Sequence, residues 1–172
     1  NKISMVTEFA QFGSLKDLMK SRKENKPRTL ICIKICCDMS KGIEYLHDNG
    51  ILHRDIKPDN FLILSLDDNV KVNAKLTDFG ATRNINQMMT NMTFTKGIGT
   101  PKYMAPEILN RQHYKRSSDV YSFAVTMLEI MIWEDPFPKT LFKFAWDIAD
   151  CVAAGKRPQT IDNVKNGDMK RL

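Results

Sequence analysis

Between His53 and Asn60 the chain reads His-Arg-Asp-Ile-Lys-Pro-Asp-Asn, which sets a carboxylate at Asp55, a cation at Lys57 and a side-chain amide at Asn60. That set suits a hydroxyl attacking a phosphoryl group. Asp55 can accept or orient the hydroxyl proton, Lys57 can neutralise charge on the transferred group, and Asn60 offers a hard oxygen to a cation such as Mg²⁺. Asp78, in Leu76-Thr77-Asp78-Phe79-Gly80, supplies a second such oxygen, and Gly80 lets the backbone turn sharply beside it. An isolated Asp near a Lys is ordinarily a surface ion pair of little consequence. Here apolar residues bracket the polar cluster on both sides, Ile51-Leu52 before it and Phe61 to Leu64 after it.

The elements that must hold these groups follow from periodicity. Apolar residues at Cys32, Cys36, Met39, Ile43 and Leu46 alternate steps of four and three, which predicts one helix over 29–47, stopped by Asn49-Gly50. Residues 2–9 read as a short strand, Gly13 breaks it, and Ser14 caps a short helix through Met19. Two β-like pieces around the polar turn at Asp67–Asn69 predict a small hairpin. Residues 78–107 lack a sustained period. Ser117 or Ser118 caps a helix with Asp119 in its first turn. That helix is apolar on nearly every face and is expected at the centre of the domain, ended by Pro136 and Pro138. A last helix is expected over 141–154, closed by Gly155. His53 is expected to pack beneath Phe79, while His47 and His113 read as surface residues.

Bulk properties narrow the class less. The 172 residues, 42% of them hydrophobic, suit one globular domain, and the net charge of +6 favours anionic partners without choosing among them. No nucleic-acid motif accompanies the charge, so nucleic acid is not expected as a partner. The four cysteines, at 32, 36, 37 and 151, form no C-x-x-C pair and suit a reducing compartment, with a cytoplasmic location expected and the nucleus left open. The most apolar run, 120–133, is interrupted by Glu129, and no membrane segment is expected.

The order of the motifs resembles one family. Residues 53–60 look like the catalytic loop of eukaryotic protein kinases, Asp78-Phe79-Gly80 like their metal-binding turn, and residues 99–107, GTPKYMAPE, like the end of their activation segment. Residues 117–131 resemble the central helix of the large lobe, and residues 5–15 the last strand of the small lobe with the hinge. Four motifs in the family's order make coincidence remote. The resemblance implies a mainly α fold: the large, C-terminal lobe with short β-hairpins, cut from the two-lobed α+β kinase fold. Residues 1–13 would be the end of the small lobe and hinge, and 14–172 an incomplete large lobe.

The same resemblance implies roles. Asp55 would be the base, Lys57 would steady the phosphate, and Asn60 and Asp78 would hold Mg²⁺ beside ATP. Leu62 would pack under the adenine, backbone groups of Glu8 and Ala10 would bind its edge, Thr7 would be the gatekeeper, and Ser14 would lie near the ribose. Arg54 would pair with a phosphate placed on Thr93 or Thr95 by an upstream activating kinase, Thr100 would contact Asp55 and Lys57, and Asp119 would anchor the backbone of the catalytic loop. Asp59 has no role in this reading. Lys57 with Gly99-Thr100 resembles the pattern directed at serine and threonine of protein substrates, and residues 128–138 lean toward the tyrosine-kinase-like branch. A phosphate-cradling glycine loop and its lysine do not precede Asn1, nor does an arginine partner for Glu107 follow, so the 172 residues alone are expected to transfer phosphate near background. The alternative is a pseudokinase-like binding or scaffolding remnant.

Overall fold

A computed structural model describes residues 6–84 and 100–157. Among the described residues, five α-helices, three one-turn 3₁₀ segments and two small antiparallel sheets make up the regular structure, so the expected mainly α class with short hairpins holds. Helix α1 (Leu15–Ser21) opens on Ser14, whose hydroxyl accepts from the Asp17 N–H while the Asp17 carboxylate accepts from the Ser14 N–H, a reciprocal cap. Helix α2 (Thr29–Asp48) buries the predicted stripe of Cys32, Cys36, Met39, Ile43 and Leu46, joined by Ile31 and Ile35. Gly50 ends it at φ +69°, a left-handed conformation that costs glycine little.

After α2, strand β1 (Ile51–Leu52) leads into the polar cluster, and strands β2 (Phe61–Ile63) and β3 (Ala74–Leu76) form the expected hairpin with Leu62 opposite Lys75. Strand β4 (Arg83–Asn84) returns to pair with β1. Helix α3 (Pro106–Leu109), helix α4 (Arg116–Ile132) and helix α5 (Ala145–Ala153) complete the order. One core gathers α1, α2, the hairpin residues Phe61 and Ile63, Ile56, and Ile130 and Trp133 at the end of α4. A second packs Val125 of α4 with Tyr103, Phe137, Ile148 and Val152. The polar cluster of residues 53–60 hangs between these helices and the hairpin.

Several expectations need correction. Of the strand expected over residues 2–9, residues 2–5 lie outside the described residues, while Val6 to Phe9 form no strand and Val6 and Phe9 stand 96% and 87% exposed, because no described strand lies beside them and an unpaired strand has no stability of its own. Helix α4 starts at Arg116, so Ser117 and Ser118 lie in its first turn; Ser118 Oγ accepts from the Lys115 N–H and donates to Glu107 Oε1 at 2.7 Å. Residues 141–144 precede α5 as a turn rather than its first helical turn. Nor is α4 buried on every side. Its inner stripe carries Ser118, Asp119, Ser122, Thr126 and Glu129, while Val120 and Met127 are 53% and 40% exposed. The polar residues go inward because each finds a partner there. Ser122 Oγ reaches the carbonyl of Tyr103 at 2.7 Å, and Thr126 Oγ1 that of Ser122 at 2.9 Å.

Candidate active site

Asp55 sits at the end of a backbone that would not adopt its shape unaided. Arg54, just before it, has φ +70°, a conformation that costs a non-glycine residue on the order of 1–3 kcal/mol and persists only where neighbours enforce it. Asp119 enforces it. Fully buried on α4, its carboxylate accepts from the N–H of His53 at 3.0 Å and of Arg54 at 2.9 Å, and from Tyr114 Oη at 2.7 Å. His47 Nε2 lies 2.9 Å from the same carboxylate. Burial by itself would raise the Asp119 pKa, but bonds from His47, Tyr114 and the two backbone amides outweigh it and hold the carboxyl below its usual range. His47 is therefore a buried partner, not the surface residue its sequence context suggests.

His53 is structural, as expected, and its tautomer follows from its bonds. Nδ1 accepts from the Asp55 N–H at 3.3 Å, so Nε2, 3.0 Å from the carbonyl of Thr77, must carry the proton and donate. Both ring nitrogens are thus committed, which leaves His53 no part in proton transfer. Its ring packs against Phe79 with centroids 5.6 Å apart. Through Thr77 it ties the loop of residues 53–60 to the Asp78 turn, and the Thr77 N–H donates to the Asn60 carbonyl at 2.9 Å to make a second tie.

The expected catalytic residues come together. Asp55 Oδ2 accepts from Lys57 Nζ at 2.7 Å and from Asn60 Nδ2 at 3.0 Å, and Asn60 Nδ2 also donates to the Asp55 carbonyl at 2.7 Å. Asp55 Oδ1 has no hydrogen bond among the described residues and remains to accept from an incoming hydroxyl. Since Nδ2 faces Asp55, the Asn60 amide oxygen is the atom left for a cation. Asp78 adopts φ +60° and accepts from the Gly80 N–H through Oδ1 at 3.3 Å, an exposed local turn. Amide and carboxylate oxygens on two tethered loops fit the hard-oxygen donor set that Mg²⁺ takes.

The other named residues divide. Leu62 lies half-buried in β2 and bridges Ser14, whose hydroxyl is engaged with Asp17 at 2.6 Å. The Ala10 carbonyl accepts from the Gly13 N–H at 3.0 Å, the Ala10 N–H makes no backbone hydrogen bond among the described residues, and the Glu8 carboxylate pairs with Lys75. Thr7 is exposed. Thr100 is exposed too, and no hydrogen bond joins it to Asp55 or Lys57, since Lys57 is engaged with Asp55 itself. Thr93 and Thr95 lie outside the described residues.

Arg54 turns away from Asp55. Its guanidinium lies over the Tyr114 ring, 5.8 Å from the centroid, and its buried Nε has no hydrogen-bond partner. Burial first, and the neighbouring Arg83 cation second, disfavour its charge. Two arginines thus lie near one another at this corner, one of them with an unpaired buried donor. Arg83 and Tyr114 escaped the sequence reading because nothing local marks them. Only the pairing of β1 with β4 brings Arg83 to this side of the loop.

Comparison with known proteins agrees with this geometry. The protein kinase domain family matches residues 1–166. The chain is 35% identical to the probable serine/threonine-protein kinase gdt9 of Dictyostelium discoideum over 99% of its own length and 12% of that protein. It is 36% identical to the serine/threonine-protein kinase shk1/pak1 of Schizosaccharomyces pombe over 80% of its length and 19% of that protein. Against the putative serine/threonine-protein kinase/receptor R818 of Acanthamoeba polyphaga mimivirus the identity is 38% over 91% of the chain and 9% of the relative. The chain thus spans less than a fifth of each of these relatives. The ordered motifs, the helical lobe built around a buried aspartate, and a family match over nearly the whole sequence lead to one conclusion: this chain belongs to the protein kinase domain family.

Proposed function

We propose that the protein bearing this chain is a serine/threonine protein kinase, which moves the γ-phosphoryl group of ATP to hydroxyls of protein substrates. The observation that carries the reading is the Asp55 carboxylate, steadied by Lys57 and Asn60, with its second oxygen open. Asp55 takes the proton of the acceptor hydroxyl as its oxygen bonds to the γ-phosphorus and the bond from that phosphorus to the β–γ bridging oxygen breaks, with ADP leaving. Lys57, released toward the transferred group, balances its charge, and Asn60 and Asp78 would hold Mg²⁺, which when bound neutralises the phosphate oxygens. Leu62 forms the floor for the adenine and the N–H at Ala10 meets its edge.

Activation by an upstream kinase fits the corner formed by Arg54 and Arg83. A phosphate on Thr93 or Thr95 would give the unpaired Arg54 Nε an acceptor and relieve the repulsion between the two cations. Lys57 followed by Gly99-Thr100 supports serine and threonine as acceptors, as do the printed names of the relatives. The free thiols of Cys32, Cys36, Cys37 and Cys151 support work in a reducing compartment, the cytoplasm first.

The test is transfer from γ-labelled ATP with Mg²⁺ by the natural full-length polypeptide to a generic basic protein, followed by phosphoamino-acid analysis. Label on phosphoserine or phosphothreonine is expected. Label confined to phosphotyrosine, or none above a heat-killed control, contradicts the reading.

A further inference from the structure

The β2–β3 hairpin carries Leu62 on one strand and runs into Asp78 from the other, yet little inside it fixes how the two strands pair. Each strand is three residues long, and residues 64–73 connect them, beyond the roughly two to five residues over which a hairpin turn sets register. Burial removes only some of the alternatives. A slip of β3 by one residue would exchange buried Ala74 for exposed Lys75 and is blocked. A slip by two keeps every face as it is and would carry Asp78 about 7 Å along the sheet.

Helix α2 supplies what the hairpin lacks. Asp38, its carboxylate 9% exposed, accepts through Oδ2 from the N–H of Asn73 at 2.7 Å and of Ala74 at 3.3 Å, the amides at the entry to β3. One turn earlier, Lys34 Nζ donates to the carbonyls of Asp68 at 2.6 Å and Val70 at 2.8 Å, and Arg28 pairs with the Asp68 carboxylate at 2.8 Å. One turn later comes Gly42, where an added Cβ would stand 3.4 Å from the Leu76 Cβ. Positions 34, 38 and 42 are spaced by four and so share one face of the helix. Asn73 is fully buried and folds the connection onto itself, its Nδ2 donating to the carbonyls of Ser65 at 3.0 Å and Asp67 at 2.9 Å. A two-residue slip would strip both amides from Asp38. The far end of β3 thus rests on α2, while Thr77 ties its near end to the loop of residues 53–60.

We infer that Asp38 is a positioning residue: it pins the register of β3, and with it the place of Asp78 relative to Asn60. The inference rests on the kinase reading proposed above, in which those two side chains hold Mg²⁺ beside ATP. It puts control of metal-supported nucleotide binding in a carboxylate at the opposite end of β3 from Asp78. Peptide binding, which meets the other side of the Asp55 loop, is left alone.

The test is calorimetric titration of the full-length polypeptide with the β,γ-imido analogue of ATP, with Mg²⁺ and without it. In Asp38→Ala the Kd with Mg²⁺ is expected to weaken about tenfold, the low end of the cost when a group behind a metal ligand is removed. The Kd without Mg²⁺ and the KM for a serine peptide are expected to change less than about twofold, a split that a general loss of stability would not produce. Should Asp38→Ala fail to fold, Lys34→Met keeps the side-chain stem, frees the Asp68 and Val70 carbonyls, and carries the same expectation at about threefold. Equal weakening with and without Mg²⁺, or a Kd with Mg²⁺ within about twofold of wild type in the folded variants, overturns the positioning role. Phosphate transfer by wild type and Asp55→Asn is measured alongside. If wild type transfers none, or Asp55→Asn keeps wild-type turnover, the kinase reading falls and takes the inference with it; transfer that depends on Asp55, with the Mg²⁺-supported Kd unmoved in the Asp38 and Lys34 variants, sinks the inference alone.

Discussion

The two acidic residues that bracket the candidate site, Asp55 and Asp78, are held in opposite ways. The loop around Asp55 is fixed from outside: Asp119 on α4 binds two consecutive amides of its backbone, and His47 of α2 and Tyr114 bind Asp119 in turn. The turn at Asp78 is fixed mainly from inside, by its own carboxylate accepting from the Gly80 N–H, and it is exposed. A base must meet one proton at one place, which favours a loop over-determined by buried bonds. A ligand for a solvated cation tolerates a lighter hold, since the cation's own geometry completes the order. Strain is stored in both, at φ +70° and +60°, yet only the first is secured by tertiary contacts throughout.

That contrast is broken most strongly at Asp119. Replacing it with Ala strands two backbone amides, Tyr114 and His47, and is expected to cost about 3–5 kcal/mol of unfolding free energy by denaturant titration. Asp78→Ala, losing one exposed local bond, is expected to cost less than about 1 kcal/mol while removing most activity. Comparable destabilisation by both variants would erase the distinction. Acid should separate the regions as well. Because the Asp119 carboxyl is held low in the folded chain, the unfolded state binds more protons as pH falls, so its contribution is complete above the unfolded value of about 4 and disappears as pH drops through the folded value. Stability measured across that window should fall more shallowly in Asp119→Asn than in wild type; parallel slopes would show that Asp119 is not the group responsible.

Smaller effects sharpen the same contrast. At Gly80 an added Cβ would come within 3.2 Å of Asp78 Oδ1. Gly80→Ala is therefore expected to shift the Asp78 carboxylate and weaken Mg²⁺-dependent activity several-fold, with stability changed by less than about 1 kcal/mol. Unchanged Mg²⁺ dependence would show the turn to be looser still. Smallest is thiol reactivity. Burial pushes the Cys36 thiol up to about 12, whereas Cys37 is exposed, so maleimide should label Cys37 in the folded chain and reach Cys36 only on unfolding.

How far these features could be read from the sequence depended on the range of the forces behind them. Helix α2, the Ser14 cap and the β2–β3 hairpin were legible because their signals are local: a 3.6-residue stripe, a cap three residues from its partner, a polar turn between apolar pieces. The Asp55, Lys57 and Asn60 set was legible for the same reason, being packed into one loop. His47 was not, since its partner Asp119 stands 72 residues away and nothing beside it marks burial. The faces of α4 could not be ranked either. With apolar residues all round, only tertiary partners decide that Asp119 and Glu129 point inward and that Val120 and Met127 point out. The one-turn errors at the starts of α4 and α5 reflect how weakly helix ends are specified when the residue before the helix has no capping side chain of its own: the Lys115 and Phe144 N–H groups donate instead to Ser118 Oγ and Asp147 Oδ2 inside the first turns.

The account turns on Asp55 as the group that accepts the proton of the substrate hydroxyl, and one measurement meets that claim directly. In the full-length polypeptide, kcat for phosphate transfer to a serine peptide is compared between wild type and Asp55→Asn, with folding checked by thermal unfolding. A fall in kcat of about 10²–10⁴ with the unfolding transition preserved is expected for a lost base. Turnover within a few-fold of wild type in the folded variant would contradict it.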